Sequence, residues 1–158
     1  MDSLEQAQKQ AMYMLASRMY TCREIYDKLL RKGHSTAVAE EAVTALAAVG
    51  YLDDAKYAAL YLHDAVELGA KGVYRIRQEL LRKGISRSVI DQAVAEMEVS
   101  PRARLQEYVE ERLRIHPVTS RREYERRRAQ LARRGYSPDE IRDCLAQFSF
   151  VFEEEGFE

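Results

Sequence analysis

Two groups of side chains in this sequence could carry chemistry. Asp53 and Asp54 set two carboxylates side by side, a pattern open to acid–base work. Six cations stand in pairs directly before glycines: Arg31 and Lys32 before Gly33, Arg82 and Lys83 before Gly84, Arg133 and Arg134 before Gly135. The carboxylates have a simpler use, because "YLDDAKYA" places them where a helix begins. There an Asp side chain accepts from free N–H groups and its charge suits the helix dipole. His34, His63 and His116 are too scattered for an i,i+4 metal pair, and no Cys-x-x-Cys, P-loop or nucleophile elbow occurs. The expectation is a protein with no catalytic residue, metal or cofactor, whose working groups are cations offered to a partner.

Cations in the last turn of a helix can do no more than complement its negative end, worth about 0.3–1 kcal/mol each. Three copies could instead form a basic stripe for a phosphate backbone or an acidic protein face. Crowding favours the stripe at the later copies. Lys71, Arg75, Arg77 and Arg87 gather around Arg82 and Lys83, opposed within that span mainly by Glu79. Arg121, Arg122, Arg126, Arg127 and Arg128 join Arg133 and Arg134, opposed by Glu123 and Glu125. Acid collects elsewhere, at Glu40, Glu41, Asp53, Asp54 and the end Glu153, Glu154, Glu155. The formal charge of −1 therefore neither supports nor excludes nucleic acid.

The elements that must position these groups follow from a period. Gly33, Gly84 and Gly135 stand 51 residues apart, the mark of tandem structural repeats. Columns of that alignment are apolar at helical spacing. Before the glycine they are Cys22, Val73, Tyr124; Ile25, Ile76, Arg127; Leu29, Leu80, Leu131; and Leu30, Leu81, Ala132. After it they are Ala39, Ile90, Ile141; Ala42, Ala93, Cys144; Val43, Val94, Leu145; and Leu46, Met97, Phe148. Each corner reads Gly-x-Ser, with Ser35, Ser86 and Ser137 as helix N-caps after glycines that tolerate the left-handed conformation. The third adds Pro138 at the first helical position and Glu140 for a capping box. An earlier helix runs through Ala7, Ala58, Val109 and Ala11, Leu62, Leu113, with Tyr57 and Tyr108 one position ahead. The expected fold is all-α: three three-helix modules over residues 1–50, 51–99 and 100–148, stacked as an elongated curved array, with an acidic tail over 149–158. That tail either folds back through Phe150 and Phe152, the preferred reading, or frays.

Composition agrees with this class. Hydrophobic residues at 46% with 32% charged residues suit a soluble helical protein better than a disordered one. Neither a signal peptide nor an apolar run long enough to span a bilayer is present, so a cytoplasmic, membrane-free monomer is expected. Cys22 and Cys144 fall in apolar columns and are expected as buried free thiols. A helix-turn-helix reader of DNA bases is disfavoured, since its helix after the turn carries the reading groups. Here residues 35–49 hold no Lys or Arg, and the cations precede the turn.

The stretches "YLDDAKYA" and "AKGVYRIRQELLRKGI" together resemble the RecX family of bacterial recombination regulators. The matching positions are Asp53, Asp54, Tyr57, Ala58, Gly72, Arg75, Ile76, Glu79, Leu80, Lys83, Gly84 and Ile85. The resemblance implies a helical-repeat protein that binds the RecA recombinase and its filament on single-stranded DNA, mainly inhibiting it, with possible direct contact to single- or double-stranded DNA. Contact candidates are Arg31, Lys32, Lys71, Arg75, Arg77, Arg82, Lys83, Arg126, Arg128, Arg133 and Arg134. The alternative is a helical DNA-binding protein or scaffold acting without RecA contact. The chain departs from the family pattern in "AALYLHDAVELG", which is poor in Arg and Lys. It departs again at Arg127, which stands in an apolar column, so the third module is expected to pack differently there.

Overall fold

The computed structural model describes residues 3–152, and the expected tail charges Glu153, Glu154 and Glu155 lie outside them. Among the described residues there are nine helices and no strands: α1 Leu4–Leu15, α2 Cys22–Arg31, α3 Thr36–Ala48, α4 Asp54–Glu67, α5 Val73–Arg82, α6 Arg87–Ala95, α7 Pro101–Ile115, α8 Arg121–Arg133 and α9 Pro138–Leu145. They fall into three successive triplets in register with the 51-residue period. No helix among the described residues is long and apolar enough to cross a membrane.

The corners form as their residues dictate. After Leu29 the chain makes paired bonds that close a helix end: His34 N–H to the Leu29 carbonyl at 3.2 Å and Gly33 N–H to that of Leu30 at 3.0 Å. Ile85 and Gly84 repeat them on Leu80 and Leu81, and Tyr136 and Gly135 on Leu131 and Ala132. This is the Schellman arrangement, which needs a left-handed residue at the turn. Gly33, Gly84 and Gly135 supply it at φ 97, 89 and 98°. The residue just past each glycine, His34, Ile85 or Tyr136, is buried. Ser35, Ser86 and Ser137 then accept from the third N–H of the next helix, and Glu140 completes the capping box on Ser137. Asp53 caps α4 through the Lys56 N–H at 3.1 Å, while Asp54 lies inside the helix.

The fold has two compact units, and the period does not mark their boundary. The first runs to Tyr61 and resumes over Glu79–Glu96; the second comprises Leu62–Gln78 and the described chain from Met97. In the first unit Ala7, Ala11, Ile25, Leu29, Ala39, Ala42, Leu46 and Leu52 form one core. The second has a core of Leu105, Val109, Leu131, Tyr136, Ile141, Cys144 and Leu145, with Tyr108, Leu113, Tyr124, Phe148 and Phe150 packed against it. Burying a Leu or Ile of this kind contributes about 1.5–3 kcal/mol. Small alanines in the first core let α1 and α3 approach closely.

Some expected core positions lie elsewhere. Leu81 is 43% exposed and Ala132 is exposed, because each sits one residue, about 100° of helical rotation, beyond the buried Leu80 or Leu131. Cys22 is only half-buried, whereas Cys144 is buried; both are free thiols. Arg127 turns its guanidinium to the His116 carbonyl at 3.2 Å, which lets a cation stand in an apolar column. The described residues at the start of the tail pack back as preferred: Phe150 and Phe152 meet Tyr124 edge-on, with ring centres 5.0 and 5.8 Å away.

Candidate partner surface and the joints behind it

The cations placed before each glycine do not share one environment. Arg31, Lys32, Arg82 and Arg133 are exposed, as is Arg126 on α8. Arg128 is exposed and pairs with Glu125 at 3.3 Å. Arg75 is exposed, and Lys71 and Arg77 are half-buried. Lys83 and Arg134, the second members of their pairs, are drawn into contacts with the preceding module. Both residues use main chain and side chain together.

In the first unit, the Thr21 hydroxyl donates to the Lys83 carbonyl at 2.7 Å, and Thr21 is fully buried. The Lys83 ammonium lies 4.0 Å from Glu24 and stands 5.9 and 5.7 Å over the rings of Tyr57 and Tyr61. Tyr61 in turn donates to Glu79. Asp54 accepts from the Cys22 N–H at 2.9 Å, adding a second link between α4 and α2. Gly84 sits against Arg23 so closely that a Cβ there would lie 2.3 Å from the Cβ of Arg23.

The second unit contains a matching joint one period later. The Gly72 N–H donates to the Arg134 carbonyl at 2.8 Å. The Arg134 guanidinium donates to the carbonyls of Gly69 at 2.7 Å and Ala70 at 3.1 Å, and stands 4.5 Å over the Tyr108 ring. Those carbonyls lie in the turn just past the end of α4, where a cation is favoured by the dipole as well as by hydrogen bonding. Arg104 reaches the same end through the Glu67 carbonyl at 2.8 Å. A Cβ on Gly72 would lie 2.1 Å from the Gly135 carbonyl oxygen, and one on Gly135 would lie 2.4 Å from the Cβ of Arg75.

The two joints use positions 51 residues apart: Thr21 and Gly72 as donors, Lys83 and Arg134 as acceptor and cation, Tyr57 and Tyr108 as the ring beneath. The first copy has no counterpart among the described residues. Lys32 is exposed, a Cβ on Gly33 would meet nothing within 4 Å, and Gln6 takes the tyrosine's column. Sequence reasoning missed these joints, although a tyrosine in only two of three copies was a usable signal. Among the described residues no group of three His, Cys, Asp or Glu side chains is placed to hold a metal.

Corners, caps and joints recurring at one period define a tandem helical-repeat protein with three three-helix modules. The chain belongs to the RecX family. A family model for the first three-helix domain of RecX matches residues 7–46, and one for the second matches residues 53–94. The chain is 35% identical over 136 residues to the regulatory protein RecX of Halorhodospira halophila, covering 86% of this chain and 84% of that one. It is 37% identical over 135 residues to that of Acidithiobacillus ferrooxidans, with 85% of each covered. The RecX of Geobacillus thermodenitrificans is longer: at 35% identity, 98% of this chain spans 58% of it. In fold, the chain is similar to a crystal structure of RecX from Lactobacillus salivarius, with a TM-score of 0.80 at 20% identity over 91% of this chain and 95% of that one. These relatives carry the name of a regulatory protein.

Proposed function

We propose that this protein modulates the RecA recombinase, mainly restraining it. It binds RecA and its filament on single-stranded DNA as a monomer in the cytoplasm, limiting filament growth, ATP hydrolysis and strand exchange. Membership of a family of regulatory proteins carries this reading. The exposed corner cations Arg31, Lys32, Arg82 and Arg133 support it, since groups presented at the same turn of successive modules suit a partner that is itself a repeating polymer. On this reading the modules at residues 1–50, 51–99 and 100–148 are the units of recognition, and no reaction is catalysed.

The decisive experiment is RecA's ATP hydrolysis on single-stranded DNA as the protein is added well below RecA's own concentration. A steep loss at such ratios is expected. A loss only when the DNA itself is saturated would replace this reading with simple competition for DNA. In that case affinity for the bare strand would fall with a log–log salt slope of about −0.7 per phosphate contact. No loss at any ratio would leave a scaffold unrelated to RecA.

A further inference from the structure

We infer that the paired cations divide the work: Lys83 and Arg134 are positioning residues that hold each module to the one before it, and Arg82 and Arg133 are the groups offered to the partner. The second half of this inference rests on the proposed function; the first does not.

The geometry separates the neighbours. Arg82 and Arg133 occupy the last turn of their helices and are exposed. One residue on, the chain turns at the cap, and the next side chain reaches toward the preceding module. Lys83 there reaches Glu24 and two tyrosine rings, and Arg134 reaches two main-chain carbonyls and one ring. An ammonium can follow a carboxylate loosely, but two carbonyls at fixed spacing suit a planar fork. Arg134 is therefore the stricter of the two positioning residues. The glycine that follows lets the backbones close on each other, which brings the carbonyl of the same residue onto Thr21 or Gly72. One residue thus gives its carbonyl and its cation to the same joint. A group so engaged is a poor candidate for a second partner, because binding elsewhere would first have to break these contacts.

The test uses the full chain and the variants Arg134→Ala, Arg134→Lys and Arg133→Ala, with two readouts. One is hydrogen exchange at the Gly72 amide, which reports the second joint directly. The other is binding to RecA-coated oligothymidylate across a range of salt. Arg133→Ala is expected to leave Gly72 protected and to weaken binding severalfold with a shallower salt dependence. Arg134→Ala is expected to speed Gly72 exchange at least tenfold, and any loss of binding should keep the wild-type salt dependence. Arg134→Lys keeps the charge but not the fork, and should leave Gly72 fast.

Arg134→Ala with Gly72 still protected and the salt dependence flattened would overturn the positioning role. So would restoration of binding and salt dependence by Arg134→Lys without restored protection. If the unaltered chain fails to bind the coated strand, the proposed function and the partner role of Arg133 both fall. Gly72 exchange then still decides whether Arg134 holds the joint.

Discussion

The hydroxyl of Thr21 donates to the carbonyl of Lys83 at 2.7 Å across 62 positions of sequence, and its oxygen also accepts from the Glu24 N–H at 3.1 Å. One buried side chain thereby starts a helix and fastens the following module to it. Each of these uses has its own measurable cost.

Thr21→Val keeps the shape and removes both bonds, leaving the Lys83 carbonyl and the Glu24 N–H without Thr21 as partner. A loss of about 2–3 kcal/mol is expected in urea unfolding. Thr21→Ser should recover most of it. Ser35→Ala, which removes the cap on the Val38 N–H at 3.2 Å, should cost about 1 kcal/mol. Equal losses for Thr21→Val and Ser35→Ala would mean that the bond to Lys83 adds no stability.

Gly33 and Gly84 share a left-handed backbone but not a neighbourhood. Gly33→Ala carries only the conformational cost, about 1–2 kcal/mol. Gly84→Ala adds a clash with Arg23 and should lose a further ~1–3 kcal/mol. Denaturant midpoints of the two variants, compared at equal slope, measure the difference.

Gly72 has no left-handed requirement, so its substitution isolates closeness alone. Gly72→Ala forces a methyl onto the Gly135 carbonyl and should destabilise the fold by about 1–3 kcal/mol or more. The mark of the mechanism would be fast amide exchange at residues 72 and 135–136 while the core around α1 and α3 stays protected. Uniform exchange throughout the chain would point to global unfolding instead.

Stability should decline in alkali. Burial, with the Asp54 carboxylate beside it, pushes the Cys22 thiol up to about 11 from 9.0. Burial pushes the Tyr136 phenol up to about 12 from 10.0, against the pull of Arg134 and Arg104. Above their ordinary values the unfolded chain releases these protons while the folded chain holds them. The stabilising contribution is therefore complete below about pH 9 and is lost as pH rises toward 11 and 12. Tyr136→Phe removes the phenol's share and a buried hydroxyl that meets no hydrogen-bond partner among the described residues. Melting curves should show this variant at least as stable as the parent at neutral pH, by up to about 1 kcal/mol, with a flatter alkaline limb.

Much of this fold is legible in the letters because its devices are local. A Schellman turn, a serine cap and an apolar stripe each leave their mark within a few residues, so Gly33 to Ser35 and its two copies are readable directly. The joints are not local. Thr21 and Gly72 fill one column with unlike letters, since one donates through a hydroxyl and the other through the main chain. Gly33, Gly84 and Gly135 share one letter for unlike reasons, conformational in the first and also steric in the others. Lys83 and Arg134 look like their exposed neighbours because charge says nothing of which way a side chain turns. Arg127 looks like a fault in the period, and the carbonyl of His116 that accommodates it carries no signal of its own.

The bond from Gly72 to Arg134 joins two main-chain groups, an amide and a carbonyl that every residue except proline possesses. No ordinary change of side chain can delete either atom. Mutational drift can reach this seam only indirectly, through bulk at the glycines or through loss of the Arg134 guanidinium that steadies it, and the surface around it is free to diverge. A lineage can thus replace most of its surface, and retune which partners it prefers, while handing down the same coupling between its second and third modules.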